Sequence, residues 1–187
     1  MQKLLQHISE RAFVGSELRA RIESDFEAIT VAKKEILLSE NSRADYLYFI
    51  EKGLIQNYYF HDGKKITSWF YLEGQFVTAW SSFYQQSPSF EEIECLEECH
   101  LYRISFAAYQ KLIADFSAFG NFARLLAEDI LSLLDEFYKA WSFLSAKEKY
   151  QLVLRYFPEI ELHIKLGLVA SFMGISQETL SRIRAGK

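Results

Sequence analysis

The chain has little of what several classes of function require. Two cysteines, Cys95 and Cys99, in 187 residues are too few for a disulfide framework and lack the companion ligands of a zinc or iron–sulfur site. They read as reduced core or turn residues, with a redox role as the alternative. Of the four histidines, His61 and His100 lie far apart within a strand-rich stretch, and His7 and His163 lie outside it. The closely spaced histidines and carboxylate of a jelly-roll metalloenzyme are therefore missing. No nucleophile–base motif and no phosphate-cradling glycine loop is present, which argues against an enzyme. No apolar run approaches the ~20 residues needed to cross a bilayer, and charges are scattered where a secretory signal would be apolar. The expectation is a cytoplasmic protein with no membrane association and no cofactor.

What is present is a chain that is 50% hydrophobic, enough for a real core in one large domain or two small ones. Its net charge of −4 is unevenly spread. From residue 145 onward seven basic residues face four acidic ones, a local balance of +3, which leaves −7 for the remainder. A positive terminal segment on an acidic body suits attraction to phosphates without indiscriminate binding.

The stretch Leu166 to Arg184, LGLVASFMGISQETLSRIR, organises that segment. Val169, Ala170 and Met173 recur at helical spacing, and Leu180 and Ile183 do so again after a break, so two short amphipathic helices turn their apolar faces to a shared core. Gly174 supplies the left-handed position that a tight turn needs. Ser176 is placed to cap the second helix, and Glu178 sits where the helix dipole favours an anion. The outward face carries Gln177, Glu178, Ser181 and Arg182. Arginine and glutamate can discriminate bases in the major groove; four apart, Glu178 and Arg182 equally make a helix-stabilising pair. A DNA-binding helix-turn-helix is the stronger reading, and a plain helical hairpin is the other.

Leu4, Leu5 and Ile8, then Leu18, Ile22 and Phe26, predict two short helices packed on the outside of a strand region. From Val31 to about Ser105 the pattern changes to short strands, among them YLYFI, LIQNYYF and KITSWFYL, rich in aromatic and β-branched residues. His61, Asp62 and Gly63 predict a hairpin, Glu73 and Gly74 a turn before QFVTAW, and EEIECL and CHLYRIS two final strands joined tightly through Glu97 and Glu98. Strands at this spacing predict an antiparallel roll or barrel. A short helix over 106–114 precedes a long one over about 117–144, in which Phe119, Ala123, Leu126, Ile130, Leu133, Phe137, Ala140 and Leu144 alternate four and three apart. That heptad seam predicts a homodimer held by Leu126, Ile130, Leu133 and Phe137, unless the stripe packs within the monomer. Ser145 with Glu148 is a capping-box signature for a new helix ended by Pro158.

This order of parts resembles the Crp/Fnr superfamily of bacterial transcription factors. The similarity spans nearly the whole chain: YFIEKGLIQNYY, DGKKIT and EGQF resemble the family's roll, and, more specifically, GISQETLSRIR resembles its recognition helix. The resemblance implies an α+β fold: a cyclic-nucleotide-binding-like antiparallel β-roll of the jelly-roll (double-stranded β-helix) kind, a long dimerisation helix and a winged helix-turn-helix. The parts fall at residues 1–116, 117–144 and 145–187. It also implies a dimer on palindromic double-stranded DNA, with Gln177, Glu178 and Arg182 contacting base edges and Ser176 and Thr179 supporting phosphate contacts. Ser181 shares that face, and Lys187 is expected to meet phosphate only.

The departures matter as much. Cyclic-nucleotide binders of this family carry a glycine–glutamate pair after the EGQF-like turn, and beyond it an arginine with a small hydroxyl residue. Here those places read Thr78 and Ala79, then Pro88, Ser89 and Phe90, and no arginine lies between Lys65 and Arg103. A buried phosphate without a charge-assisted partner is strongly disfavoured, so cyclic nucleotide is not the expected effector. The amino-terminal cysteine cluster of the iron–sulfur branch is also missing. Trp69, Phe76, Trp80 and Phe83, with Phe70 and Tyr84, offer an apolar pocket for a flat effector or simply core. The other function consistent with these residues is a ligand-sensing roll that acts through protein partners without binding DNA.

Overall fold

The computed structural model describes residues 1–158 and 160–186. Two helices, α1 (Gln2–Ser9) and α2 (Ser16–Asp25), precede eight strands: β1 (Glu27–Val31), β2 (Ile36–Leu38), β3 (Tyr46–Lys52), β4 (Ile55–His61), β5 (Lys64–Tyr71), β6 (Phe76–Val77), β7 (Glu92–Cys95) and β8 (Cys99–Ser105). A short α3 (Trp80–Gln85) interrupts them between β6 and β7. The strands form two four-stranded antiparallel sheets, ordered β1-β8-β3-β6 and β2-β7-β4-β5, around a shared apolar core. This is the expected antiparallel jelly roll. In β7 buried Ile93 and Cys95 alternate with half-buried neighbours, whereas β3, flanked by β8 and β6, is buried over four successive residues.

Local chemistry explains the turns. Asp62 (φ 49°) and Gly63 (φ 71°) join β4 to β5 in a two-residue loop flanked by the pair His61–Lys64, the left-handed geometry whose twist matches a hairpin. The EEIECL and CHLYRIS segments form the two final strands, joined tightly as expected, but they do not pair with each other: β7 pairs with β2 and β4, β8 pairs with β1 and β3, and residues 96–98 carry the chain between sheets. Beside this crossing a side chain on Gly53 (φ 118°) would sit 2.6 Å from the Cys99 sulfur, so only glycine fits. Cys95 and Cys99 are free thiols buried in the core. QFVTAW yields only the two-residue β6, because Ala79 already begins the entry into α3.

The helical part continues as α4 (Phe106–Asp115), α5 (Ser117–Phe143), α6 (Ala146–Tyr156), α7 (Ile160–His163), α8 (Leu166–Met173) and α9 (Gln177–Arg184). Ser145 and Glu148 form the reciprocal capping box at the start of α6, which stops before Pro158. The 27 residues of α5 span about 40 Å at ~1.5 Å per residue. Two members of its predicted seam, Leu126 and Phe137, are 5% and 2% exposed within the chain's own core, which corrects their assignment to a dimer contact. Ile130 and Leu133 face a cleft against the roll. A second apolar stripe displaced by one residue, Ala127, Leu131, Leu134 and Tyr138, runs beside it, with Leu131 69% and Tyr138 54% exposed.

Helix α8 docks on β5, the edge strand of its sheet. The Ser171 hydroxyl accepts from the Thr67 amide (3.2 Å) and donates to the Lys65 carbonyl (2.9 Å), satisfying backbone groups the edge would leave unpaired. Trp69 completes the joint, its ring 5.0–6.0 Å from those of Phe137, Phe157 and Phe172. Roll, long helix and terminal helices thus meet in one aromatic cluster.

Candidate functional site

Two places gather chemistry: the outer face of α9, and the cleft between the roll and α5. The first is built by its turn. Gly174 ends α8 in the left-handed conformation (φ 65°, ψ 29°), and the Ile175 amide reaches back to the Ala170 carbonyl at 3.0 Å. The Ser176 hydroxyl then accepts from the Thr179 amide at 3.2 Å and caps α9. Buried Val169, Ala170, Met173 and Leu180 hold the two helices together. With its apolar face engaged in this way, α9 leaves Gln177, Glu178, Ser181 and Arg182 exposed. Thr179 is half-buried, its hydroxyl 3.1 Å from that of Ser176. Lys187 lies outside the described residues. The Glu178 carboxyl is held below the usual carboxylate range by backbone and Ser176 hydrogen bonding at the helix start, with the Arg182 charge adding. Arg184 turns away from this face to meet Glu161 of α7 at 2.9 Å, and Glu161 also accepts from the Tyr150 hydroxyl.

The cleft encloses about 410 Å³. Strand residues line it together with Ile130, Leu133 and Tyr138 of α5 and with Tyr156 and Phe157, from the end of α6 and just beyond. Trp69, Phe76 and Trp80 line it. Phe83 does not, which corrects its assignment: it is fully buried against Phe106 and Tyr109, ring centres 5.2 and 5.6 Å away. Trp80, three residues earlier in the same short helix, is half-buried and borders the cleft.

The polar lining has little precedent in the sequence pattern. Glu91 accepts from the Ser68 hydroxyl at 2.6 Å and, more loosely, from the Asn57 amide at 3.4 Å. Asn57 is 2% exposed, and its side-chain oxygen has no partner among the described residues. The same is true of His7 Nε2. Burial lowers the His7 pKa, with the Arg11 charge adding, so the imidazole is neutral near pH 7. Arg11 also lines the cleft but is engaged by Asp129 at 3.0 Å. One signal for this lining stood in the sequence: the adjacent polar pair Gln56 and Asn57 inside an otherwise apolar strand.

The positions where a cyclic phosphate would need partners are turned to internal use. The Thr78 hydroxyl donates to the Tyr46 carbonyl at 2.9 Å, and the Ser89 hydroxyl bridges the Glu91 amide and carbonyl at 3.0 and 2.9 Å. Both residues are buried. Among the described residues no group of histidine, cysteine or carboxylate side chains could hold a metal ion, and no helix is long and apolar enough to cross a membrane.

Residues 28–116 match the family model of the cyclic nucleotide-binding domain. No curated protein sequence matches the chain. Among solved structures it is similar to FixK2 of Bradyrhizobium japonicum, with TM-score 0.72, 15% identity, and 86% of this chain covering 83% of that one. A chain from Eubacterium rectale assigned to the Crp/Fnr family aligns at TM-score 0.72 and 20% identity, over 92% of this chain and 82% of its own. The c-di-GMP-responsive global regulator CLP of Xanthomonas campestris aligns at 0.67 and 17%, over 92% and 91%. Residues 28–116 thus match the cyclic nucleotide-binding domain, and the chain as a whole has the fold of these solved Crp/Fnr structures.

Proposed function

We propose that this protein is a dimeric DNA-binding transcription regulator whose roll senses an effector other than a cyclic nucleotide. Residues 1–116 form the sensor, 117–144 the dimerisation helix and 145–187 the DNA-reading part. The observation that carries the reading is α9, a capped helix held by a tight glycine turn, with Gln177, Glu178, Ser181 and Arg182 exposed on one face. Those side chains provide donors and acceptors suited to base edges, while Ser176 and Thr179 at the helix start suit phosphate. Two such helices related by a two-fold axis read half-sites about one helical turn apart, hence a palindromic operator. The stripe Ala127, Leu131, Leu134 and Tyr138 is the seam for the second copy. It keeps heptad spacing, with Leu131 and Tyr138 exposed and Ala127 and Leu134 half-buried, and Leu134 and Tyr138 border the cleft as well.

Selection from a pool of random duplexes tests the proposal: enrichment of an inverted repeat, with affinity falling steeply as salt rises, is the expected result. Equal retention of all duplexes would overturn it. Calorimetry with cyclic AMP and cyclic GMP should show no binding in the micromolar range, because no unpaired cation faces the cleft among the described residues.

A further inference from the structure

The charges and rings around the cleft constrain what it admits. Its lining holds two carboxylates, Glu91 and Asp129, against one guanidinium, Arg11. Arg11 and Asp129 satisfy each other at 3.0 Å, and His7 is neutral near pH 7. Glu91 has neutral hydrogen-bond donors, Ser68 and Asn57, and no cationic partner among the described residues. The same lining carries the rings of Trp69, Tyr71, Trp80 and Tyr138. Burial raises the Tyr71 and Tyr138 hydroxyls above the usual tyrosine range, and the Glu91 charge adds to both shifts, as it does only for groups within reach of its field. The unpartnered oxygen of Asn57 is a further acceptor with no donor. A carboxylate without a cation, aromatic faces and a spare acceptor all favour the same ligand charge, since ring faces attract cations and a carboxylate repels anions.

We propose that the cleft takes an organic cation, an amine joined to an apolar or aromatic body, with its ammonium group beside Glu91 among Trp69, Trp80 and Tyr138 and its body against Ile130 and Leu133. A volume of about 410 Å³ suits such a small molecule. The proposal rests on the reading of this cleft as the effector site and names the chemistry that site selects.

The test uses the full chain and three probes that share one aromatic body: 2-phenylethylamine, 2-phenylethanol and phenylacetate, titrated by calorimetry at neutral pH. The amine is expected to bind about tenfold or more tighter than the alcohol, and the carboxylate to give no measurable binding. The ratio of amine to alcohol affinity should fall toward one in Glu91→Gln and persist in Glu91→Asp, with thermal unfolding followed on both variants to confirm the fold. Equal affinity for amine and alcohol, measurable preference for the carboxylate, or no binding of any probe at millimolar concentration by the wild-type chain would each overturn the proposal. Duplex binding by the same wild-type preparation is measured in parallel. Its failure would count against the regulator reading, whereas failure of the probe series with intact duplex binding counts against the cation alone.

Discussion

The roll and the terminal helix pair treat polar side chains in opposite ways. Inside the roll, buried polar groups are nearly all engaged: Gln56 donates to Glu94 at 2.9 Å and accepts from Thr67 at 3.1 Å, Thr78 donates to Tyr46, and Ser82 accepts from the Ala44 amide at 2.9 Å. On α9 the polar face is exposed, and Arg182 makes no ion pair among the described residues. A satisfied buried group fixes a fold, while an unsatisfied one marks where something else belongs. By that criterion Asn57, whose side-chain oxygen has no partner among the described residues, marks the cleft, and beside it Glu91 accepts only from neutral donors.

The two regions meet at Trp69, and the sharpest way to break the comparison is to remove it. Trp69→Ala should cost about 3–5 kcal/mol in denaturant unfolding, typical of a buried tryptophan. Because its ring touches Phe137, Phe157 and Phe172, the expected loss includes the docking of α8 on the roll, seen as a separate early transition of the helical part. A loss under ~1 kcal/mol would show that the regions do not depend on this joint.

Next in size is the contrast between the two stripes of α5. Leu131→Glu combined with Leu134→Glu should convert a dimer into folded monomers by sedimentation, whereas Leu126→Ala should cost about 2–5 kcal/mol of stability and leave the oligomeric state unchanged. Persistence of the dimer in the double variant would assign the interface elsewhere.

That contrast also shows what was legible in the sequence. The Gly174 turn, the Ser145 box, the Asp62–Gly63 hairpin and the length of α5 each follow from chemistry within a few residues, and the sequence pattern is enough to place them. Which stripe of α5 faces outward is not a local matter. The stripes through Leu126 and through Ala127 both keep heptad spacing, and only the packed roll and Phe157 and Phe172 decide between them. The connection between Cys95 and Cys99 has the same local pattern whether it closes a hairpin or crosses between sheets. The cleft draws His7, Asn57, Glu91 and Tyr138 from four separate parts of the chain, so no spacing rule gathers them. Phe83 lies in the core because the partners that cover it, Phe106 and Tyr109, come from α4, more than twenty residues further along the chain.

A smaller effect separates two arginines on one helix. Arg182→Ala should cost about 1–3 kcal/mol on the preferred duplex and relax discrimination at one base pair per half-site, the behaviour of a side chain that reads a base. Arg184 is tied to Glu161, so Arg184→Ala should lower stability by no more than about 1 kcal/mol, as partly exposed pairs do, and change affinity for specific and scrambled duplexes alike. Titration of both variants at several salt concentrations checks the pair. Equal losses on both duplexes for Arg182→Ala would remove it from the base-reading face.

The smallest effect expected is a pH dependence written into His7. Its ring lies edge-on to Phe49, Phe76 and Phe122, with centres 5.5–6.2 Å away, and Nε2 is unpartnered among the described residues. Burial lowers its pKa below the ordinary 6.5, Arg11 adds to the shift, and Glu10 and Asp129 oppose it. A histidine with a lowered folded pKa binds its proton more readily when unfolded. As pH falls through 6.5 the unfolded chain is therefore favoured first, and the loss continues until the folded pKa is passed. Stability from this group thus rises with pH. His7→Phe keeps an aromatic ring in place and removes the titration. Denaturant unfolding of both proteins from about pH 8 to about pH 5 should show the wild type losing more stability than the variant, with the gap opening below pH 6.5. Parallel curves would mean that His7 takes up its proton in the folded chain as easily as in the unfolded one, and that the cleft at α1 admits water or a carboxylate to meet it.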